Sequence, residues 1–356
     1  MFAILAGAAV ASASHRLKES RFYLIFIGLA LIIFIGLRKE VGADWWNYLS
    51  IYKVISHGSL GHALKSIEPS YGLINWFAAQ QGWGIWFPNL VCATLFTIGL
   101  VALCRQQPNT WLALAVSSYI IVLVAMGYTR QSAALGMGML AMAQYSRGAT
   151  LRVAISIAIA VSFHTSAIIF APIFALASAR RGVGTMLMIS LLGAVLLYEL
   201  YGSVTFLIER YSEQTFTATG AVPRLMLNLI PAMLFLAFRK RFARNDAELR
   251  FWTLMSLLAC LSVLLLVFFN SSLIADRLGL YLSPIQIFVL SRVPTAFSGN
   301  KPASLVPVGL LLAYSLITEV VWLSYATWAP YWLPYGNYLI HSDVHRVPPR
   351  WFRYVR

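Results

Sequence analysis

Arginines and carboxylates that border apolar segments are the residues of this sequence best suited to chemistry. The first pair is Arg38 and Asp44, which directly follow an apolar run. Arg38 offers planar, bidentate donors that suit a phosphate or a carboxylate. Asp44 lies a turn or so away and could act as a general base. Trp45 and Tyr48 come next and would supply aromatic faces for sugar rings.

The same segment also has a purely structural interpretation. Gly42 permits a sharp turn, and Asp44 is a suitable N-cap for an amphipathic helix over residues 45–55. Tryptophans are common at the boundary between membrane and water. Composition alone does not separate a capped interfacial helix from a binding site.

Two further groups follow along the chain. Glu68 and Tyr71 flank a proline that suits the first turn of a second amphipathic helix. Glu68 is a second candidate for a base, although a carboxylate near a helix N-terminus is favourable without any catalytic role. Arg130 and Gln131 lie between two apolar runs. There, Arg130 is either a snorkelling arginine or a ligand for an anion.

The last two groups lie at the ends of later apolar runs. His164 interrupts an apolar stretch and could be an acid, a base or a phosphate ligand, or simply a satisfied polar residue. Asp276 and Arg277 precede Tyr281. The two charged residues could form an internal ion pair, or the carboxylate could orient Arg277 towards an anionic substrate.

The elements that must hold these residues are membrane helices. Of the 356 residues, 60% are hydrophobic and 11% are charged, with a mean hydropathy of +0.74, whereas soluble domains carry roughly 25% charged residues. Hydropathy and turn residues predict an all-α bundle of about twelve spans. The predicted spans are 1–14, 22–37, 84–103, 110–127, 131–146, 151–163, 165–179, 185–201, 223–238, 250–269, 278–291 and 303–325.

The placement of basic residues predicts the orientation of these spans. The loops form two alternating sets that hold 15 and 8 basic residues, with four more arginines in a short basic tail, 341–356. The positive-inside rule makes the richer set cytoplasmic and puts both termini outside. Arg38, Arg130 and Arg277 then lie on the side that topology disfavours, which favours a functional reason for them. The basic tail conflicts with this orientation, and a re-entrant or spanning segment around 328–340 would resolve the conflict.

The sequence lacks the motifs that are characteristic of several other classes of protein. The three cysteines lie in or at the ends of apolar runs and have no CxxC or metal-ligand spacing. The sequence contains no G-x-S-x-G, H-E-x-x-H or P-loop motif. The net charge of +15 is spread over short clusters between apolar runs. We therefore expect no nucleic-acid partner, no metal and no cofactor.

The order of these groups resembles the EpsG family of Wzy-type polysaccharide polymerases, of the O-antigen and exopolysaccharide kind. The resemblance covers about residues 20 to 336, and each motif is weak alone, but their order and shared placement are fairly specific. One departure is Ala43, where the family usually has threonine. The matching residues run from Gly36 to Tyr48, from Glu68 to Asn75, over Arg130 and Gln131, from Phe163 to Ala167 with Pro172, from Asp276 to Tyr281, and from Trp332 to Tyr335.

The resemblance implies a GT-C-like glycosyltransferase in the bacterial inner membrane, with its active face periplasmic or extracellular. Undecaprenyl-diphosphate-linked oligosaccharides would be both donor and acceptor, and a chain-length regulator and a flippase would be expected partners. Arg38, Arg130 and Arg277 would neutralise the diphosphate leaving group with help from His164, and Asp44 would be the base. The expected organisation is one catalytic domain, 1–340, whose outer loop 38–83 carries amphipathic helices, followed by the tail.

Other functions remain open at this point. A lipid-linked oligosaccharide ligase would use the same donor with a different acceptor, and its site would look alike in one sequence. A transporter or flippase is expected to have charged residues near the centres of its spans. Here the charges lie at the ends of the predicted spans, and Glu199 and Glu319 come closest to being exceptions. The basic residues and the histidines are compatible with a membrane acyltransferase, but the predicted cytoplasmic side, where the acyl donor would bind, lacks a suitable histidine.

Overall fold

The computed structural model describes residues 2–14, 21–178, 220–269, 272–298 and 304–340. Over these ranges the chain is built of helices joined by short turns, with an isolated antiparallel bridge between Arg38 and Asn337. The predicted all-helical character is confirmed for this part of the chain.

The first half contains α1 to α11. The bounds are α1 Phe2–Ala13, α2 Arg21–Gly36, α3 Trp45–Ser56, α4 Leu60–Ser66, α5 Pro69–Gln80, α6 Trp86–Cys104, α7 Thr110–Val116, α8 Ser118–Ile120, α9 Thr129–Tyr145, α10 Thr150–Phe163 and α11 Phe170–Ala177. A π-helical turn, Ile121–Ala125, continues α8, and a 3-10 turn, Thr165–Ile169, precedes α11.

The second half contains α12 to α16. The bounds are α12 Ala221–Phe242, α13 Asp246–Phe269, α14 Ser272–Leu282, α15 Pro284–Ala296 and α16 Leu305–Tyr325, followed by a 3-10 turn, Ala329–Tyr331. The predicted span 278–291 is divided, because α14 ends at Leu282 and α15 begins at Pro284. Proline lacks a backbone N–H and fits the first turn of a new helix.

Hydropathy and length mark this chain as a membrane protein. Within the described ranges, four helices are long and apolar enough to cross a membrane, namely α6, α12, α13 as far as Leu266, and α16. Four shorter apolar helices, α1, α2, α10 and the segment Thr165–Ala177, accompany them. The count of twelve spans stays a prediction, and the predicted span 185–201 lies outside the described residues.

Close packing of α6 against α9 forms the centre of the bundle. A Cβ built on Gly99 of α6 would come within 1.7 Å of the carbonyl oxygen of Gly136 in α9. Only glycine allows this approach, as is typical of small residues between membrane helices. The first turn of α9 carries Arg130 and Gln131, so the same contact fixes the position of both side chains.

Both predicted amphipathic helices are confirmed at one end of this bundle. The first is α3, and the second is α5, which begins at Pro69 as expected. Their inner faces pack with the ends of α6, α9 and α10 in an apolar cluster. Its buried members are Trp45, Trp46, Tyr48, Tyr71, Ile85, Cys92, Ala133 and Phe163.

The chain after α16 returns to the end of α2 as an irregular segment. The Tyr335 hydroxyl donates to the Phe34 carbonyl over 2.6 Å, and the Trp332 indole donates to the Val122 carbonyl over 2.8 Å. Between 326 and 340 the chain forms a 3-10 turn and the bridge of Asn337 with Arg38, so no spanning helix lies there. A re-entrant segment at this point stays a prediction, and the tail itself lies outside the described residues.

Candidate active site

A tight loop between α2 and α3 positions Asp44. Gly42 has a φ of +102°, and a Cβ there would lie 2.4 Å from the Met126 carbonyl oxygen. Its N–H donates to the Tyr331 carbonyl oxygen over 2.9 Å. The loop is thus held between the start of α9 and the returning segment, and glycine is required at this point.

Arg38 lies inside this loop rather than on its surface. The side chain is 1% exposed. Its guanidinium donates to the carbonyl oxygens of Ile35, at 2.7 Å, and Val41, at 3.3 Å, and to the Thr129 hydroxyl at 2.7 Å. A cation at the C-terminus of α2 is favourable. Arg38 therefore joins the Asp44 loop to the helix that carries Arg130, and no pattern in the residues identified Thr129 as its partner.

Asp44 occupies the N-cap position of α3 but does not cap the helix. Its side chain makes no cap hydrogen bond, contrary to the expectation from sequence. The carboxylate is partly buried and has no hydrogen-bond or ion-pair partner among the described residues. Burial raises the pKa of Asp44 to about 6, against the opposing charges of Arg130 and Arg277. Asp44 is thus an unpaired carboxylate that is close enough to Arg130 and Arg277 for their charges to act on its pKa.

A closed chain of polar contacts lies beside Asp44. Arg130 Nη1 donates to Glu68 Oε2 over 2.5 Å, and His164 Nδ1 contacts Glu68 Oε1 over 2.8 Å. The Gln131 amide nitrogen lies 3.0 Å from His164 Nε2. In this arrangement Gln131 donates to Nε2 and Nδ1–H donates to Glu68, so the imidazole is neutral. Both ring nitrogens of His164 are therefore occupied.

Glu68 is held as an anion by these partners. Burial alone would raise its pKa, but the hydrogen bond from His164 and the charge of Arg130 lower the pKa to about 2. Both carboxylate oxygens are already paired. Glu68 is consequently a weak base and a firm anchor for Arg130.

Arg277 completes the group from α14. Its side chain is partly exposed and has no hydrogen-bond or ion-pair partner among the described residues. Its neighbour Asp276 pairs instead with Arg224, whose Nε donates to Asp276 Oδ1 over 2.6 Å. The direct Asp276–Arg277 ion pair, one of the possibilities left open by the sequence, does not form among the described residues, because the partner of Asp276 comes from the start of α12. Arg224 is one of the eight basic residues in the loops predicted to lie outside, and the sequence offered no other indication of a role for it.

The aromatic residues among the predicted substrate-binding residues, which are Trp45, Tyr48, Tyr71 and Tyr281, are all buried. Trp45 and Tyr48 are each 4% exposed, Tyr71 is 0% exposed and Tyr281 is 1% exposed. The Arg130 guanidinium lies 5.8 Å from the centre of the Tyr48 ring and 6.0 Å from that of Tyr71. Such contacts stabilise a cation. In this conformation the rings of Tyr48 and Tyr71 support Arg130, and all four aromatic side chains are buried.

The sequence of the chain matches the model of a known protein family. The EpsG family model matches residues 21–337, which is most of the chain. The chain belongs to the EpsG family. No curated protein and no solved structure gives a match. EpsG-family membership implies a Wzy-like polysaccharide polymerase of the glycosyltransferase type, working in a membrane.

The region of the chain that matches the EpsG family begins at the first residue of α2 and ends in the returning segment, which is hydrogen-bonded to the residues that follow α2. It contains all the charged residues described above. An open carboxylate and an open guanidinium, backed by a fixed ion pair, can accept a proton at one point and hold an anion at another.

Proposed function

We propose that this EpsG-family protein joins undecaprenyl-diphosphate-linked oligosaccharide repeat units at the outer leaflet of a bacterial inner membrane. One observation carries the proposal. Asp44 and Arg277 both lack partners among the described residues, and the charge of Arg277 acts on the Asp44 carboxylate. A site with an unfilled base and an unfilled anion ligand suits the transfer of a sugar from a diphosphate to a hydroxyl.

In the proposed step, Asp44 takes the proton from a hydroxyl at the non-reducing end of the acceptor. The hydroxyl oxygen attacks the anomeric carbon of the donor and forms the new glycosidic bond. The bond between that carbon and the phosphate oxygen breaks, and the lipid diphosphate leaves with the electron pair. A direct displacement of this kind inverts the anomeric configuration.

The two carboxylates near the site are suited to different roles. A general base works best when its pKa lies near the working pH. With a pKa of about 6, Asp44 is largely ionised at neutral pH and still accepts a proton. Glu68, with a pKa of about 2, is too weak a base. We therefore assign the base to Asp44 and the anchoring of Arg130 to Glu68.

The diphosphate is assigned to Arg277 and to the free face of Arg130. The Arg130 side chain keeps 20% exposure while one of its nitrogens is held by Glu68. Fixed cations that meet developing negative charge lower the barrier without further rearrangement. Because two arginines can neutralise the leaving group, we expect the reaction to proceed in the presence of a chelator. Arg38, His164 and Gln131 act through the residues that they hold.

The proposed orientation has its own test in a matched pair of cysteine variants. Asn47 lies on the exposed side of α3, and Thr150 is exposed at the start of α10, near the end of α9 that is opposite Arg130. In intact cells, or in spheroplasts where an outer membrane is present, a membrane-impermeant maleimide should label Asn47→Cys and spare Thr150→Cys. The reverse pattern would overturn the outer-leaflet assignment.

The function is tested by deleting the gene and separating the surface glycans by chain length. We expect single repeat units to persist on lipid and long chains to vanish, with the wild-type gene restoring them. Purified protein given only lipid-linked repeat units should produce a ladder. Normal long chains in the deletion strain would refute the proposal. Long chains that accumulate on lipid without reaching their final acceptor would indicate a ligase.

A further inference from the structure

The helices α2 and α6 touch closely at the Gly36 end and separate towards the other end. A Cβ on Gly36 would lie 2.7 Å from the Leu90 Cα atom, so the backbones are in contact there. Two turns earlier, a Cβ on Gly28 would have the Thr97 methyl as its nearest neighbour, at 3.9 Å. The two helices therefore diverge away from the candidate active site.

This divergence opens an apolar groove of about 450 Å³ on the lipid-facing surface. Its volume is within the range of about 300–1,000 Å³ that small-molecule sites occupy. Leu24 forms the floor and is 5% exposed, whereas Ile25 and Ile98 form the edges and are 63% and 48% exposed. The groove is lined by Arg21, Leu24, Ile25, Gly28, Leu29, Ile32, Thr97, Ile98, Val101, Ala102 and Arg105.

Two arginines close the far end of the groove. Arg21 is the first residue of α2, and Arg105 directly follows α6. Both are exposed, and neither has a hydrogen-bond or ion-pair partner within the described ranges. The N-terminus of a helix disfavours a cation and favours an anion. The positive charge of Arg21 therefore lies next to the partial positive charge of the α2 N-terminus. An anionic ligand would balance both charges.

We propose that this groove binds one anionic glycerophospholipid, with an acyl chain along α2 and α6 and the phosphate between Arg21 and Arg105. Arginine pairs bind phosphate well, and basic pockets between membrane helices on the cytoplasmic side hold anionic headgroups. The proposed orientation puts both arginines on that side. The groove lies at the opposite end of α6 from Asp44, so this lipid is separate from the lipid-linked substrate, and the inference does not depend on the proposed reaction.

The test uses the full-length protein, purified in detergent and stripped of lipid. Native mass spectrometry would measure binding of phosphatidylglycerol and of phosphatidylethanolamine, which has no net charge. Two arginines near a membrane phosphate should favour the anionic lipid, so we expect the double variant Arg21→Ala/Arg105→Ala to bind phosphatidylglycerol about 30-fold more weakly. Arg147→Ala/Arg152→Ala is the matched control, since both residues are exposed, lie on the same predicted side and are absent from the groove. This control should bind like the wild type.

A second variant tests the apolar part of the groove. Gly28→Leu would project a side chain into the space that the acyl chain needs, and it should lower binding while the elution volume and helicity stay unchanged. Equal losses in the two double-arginine variants would mean general surface attraction and would overturn the proposal. So would unchanged binding in both Arg21→Ala/Arg105→Ala and Gly28→Leu. Equal competition by soluble glycerophosphoglycerol would show an anion site with no lipid specificity, which would also refute it.

Discussion

Two ion clusters lie at opposite ends of α6, and they differ in how completely their hydrogen-bonding groups are used. At the far end, Arg292 of α15 donates to Gln107, to the Phe242 carbonyl and to both oxygens of Glu248. It is 3% exposed and stacks on the Phe288 ring at 3.9 Å. Both charged residues of this cluster, Arg292 and Glu248, are buried and paired with each other, so neither is open to a ligand.

The cluster at the other end is closed only in part. Both oxygens of Glu68 are paired, one with Arg130 and one with His164, but Asp44 and Arg277 have no hydrogen-bond or ion-pair partner among the described residues. An unpaired charge that is partly buried is costly. The pairing in the far cluster can be explained by stability alone, whereas the unpaired charges of the near cluster are what the proposed anionic substrate would complete. Four predictions test this difference.

The largest effect is expected from Asp44→Asn. The amide keeps the shape of the side chain but cannot accept the proton, and loss of a general base lowers kcat by up to about 10⁴-fold. Stability should not fall, because a raised carboxyl pKa means that ionisation costs folding energy above pH 6 and that amidation removes this cost. Polymer formation by purified protein and thermal unfolding in detergent measure the two quantities.

Asp246→Asn is the matched control for this variant. Asp246 is an exposed carboxylate in the first turn of α13, near the far cluster. Its amide variant should polymerise at the wild-type rate. Full activity in Asp44→Asn would remove Asp44 from the role of base, whatever the control does.

The contrast between the clusters could be predicted from sequence only in part. Arg130 and Arg277 could be singled out because they oppose the positive-inside bias, which can be read from the residues next to each predicted span. The role of Arg38 could not be read in the same way, since spacing does not reveal that its donors turn inward to Ile35 and Thr129. The pairing of Asp276 with Arg224 joins residues 52 positions apart, and only the packing of α12 on α14 decides it.

Helix periodicity predicted which segments are helical better than it predicted where each helix begins and ends. The amphipathic patterns predicted α3 and α5, because a polar face beside an apolar face is itself the cause of a surface helix. The break at Ser283 was missed, since the apolar character continues through the turn into α15. The free carboxylate of Asp44 was also unexpected, because aspartate at an N-cap usually bonds the first turn.

The second prediction concerns the far cluster. Arg292→Ala leaves Glu248 buried without its partner, and such variants lose about 3–5 kcal/mol of stability. The double variant Arg292→Met/Glu248→Gln removes both charges and should recover most of the loss. Thermal unfolding in detergent measures stability, and polymer formation per folded molecule should match the wild type in both. A fall in activity at unchanged stability would show that this cluster, too, serves the reaction.

The third prediction applies the same test to the near cluster. Arg277→Gln removes a donor that meets the developing diphosphate charge, and loss of such a donor costs about 10²-fold in kcat. Stability should hold, because Arg277 leaves no described partner unpaired. Arg224→Gln is the comparison, since it strips Asp276 of its ion pair. We expect Arg224→Gln to lower the stability more than Arg277→Gln does, and to lower kcat less. If instead Arg224→Gln had the larger effect on kcat and Arg277→Gln the larger effect on stability, Arg224 would be the substrate ligand and Arg277 the structural residue.

The smallest effect is in the pH dependence of kcat/KM. With a pKa of about 6, Asp44 gains a proton as the pH falls, so the rate should be level above pH 7 and roughly tenfold lower at pH 5. Glu68, with a pKa of about 2, stays ionised over this range and cannot cause the change. The charge of Arg277 lowers the pKa of Asp44, so Arg277→Gln should move the acidic limb to higher pH, while Arg277→Lys should leave it near its original place. An acidic limb that does not move in Arg277→Gln would belong to another group. The open carboxylate and the open guanidinium would then not act as one site.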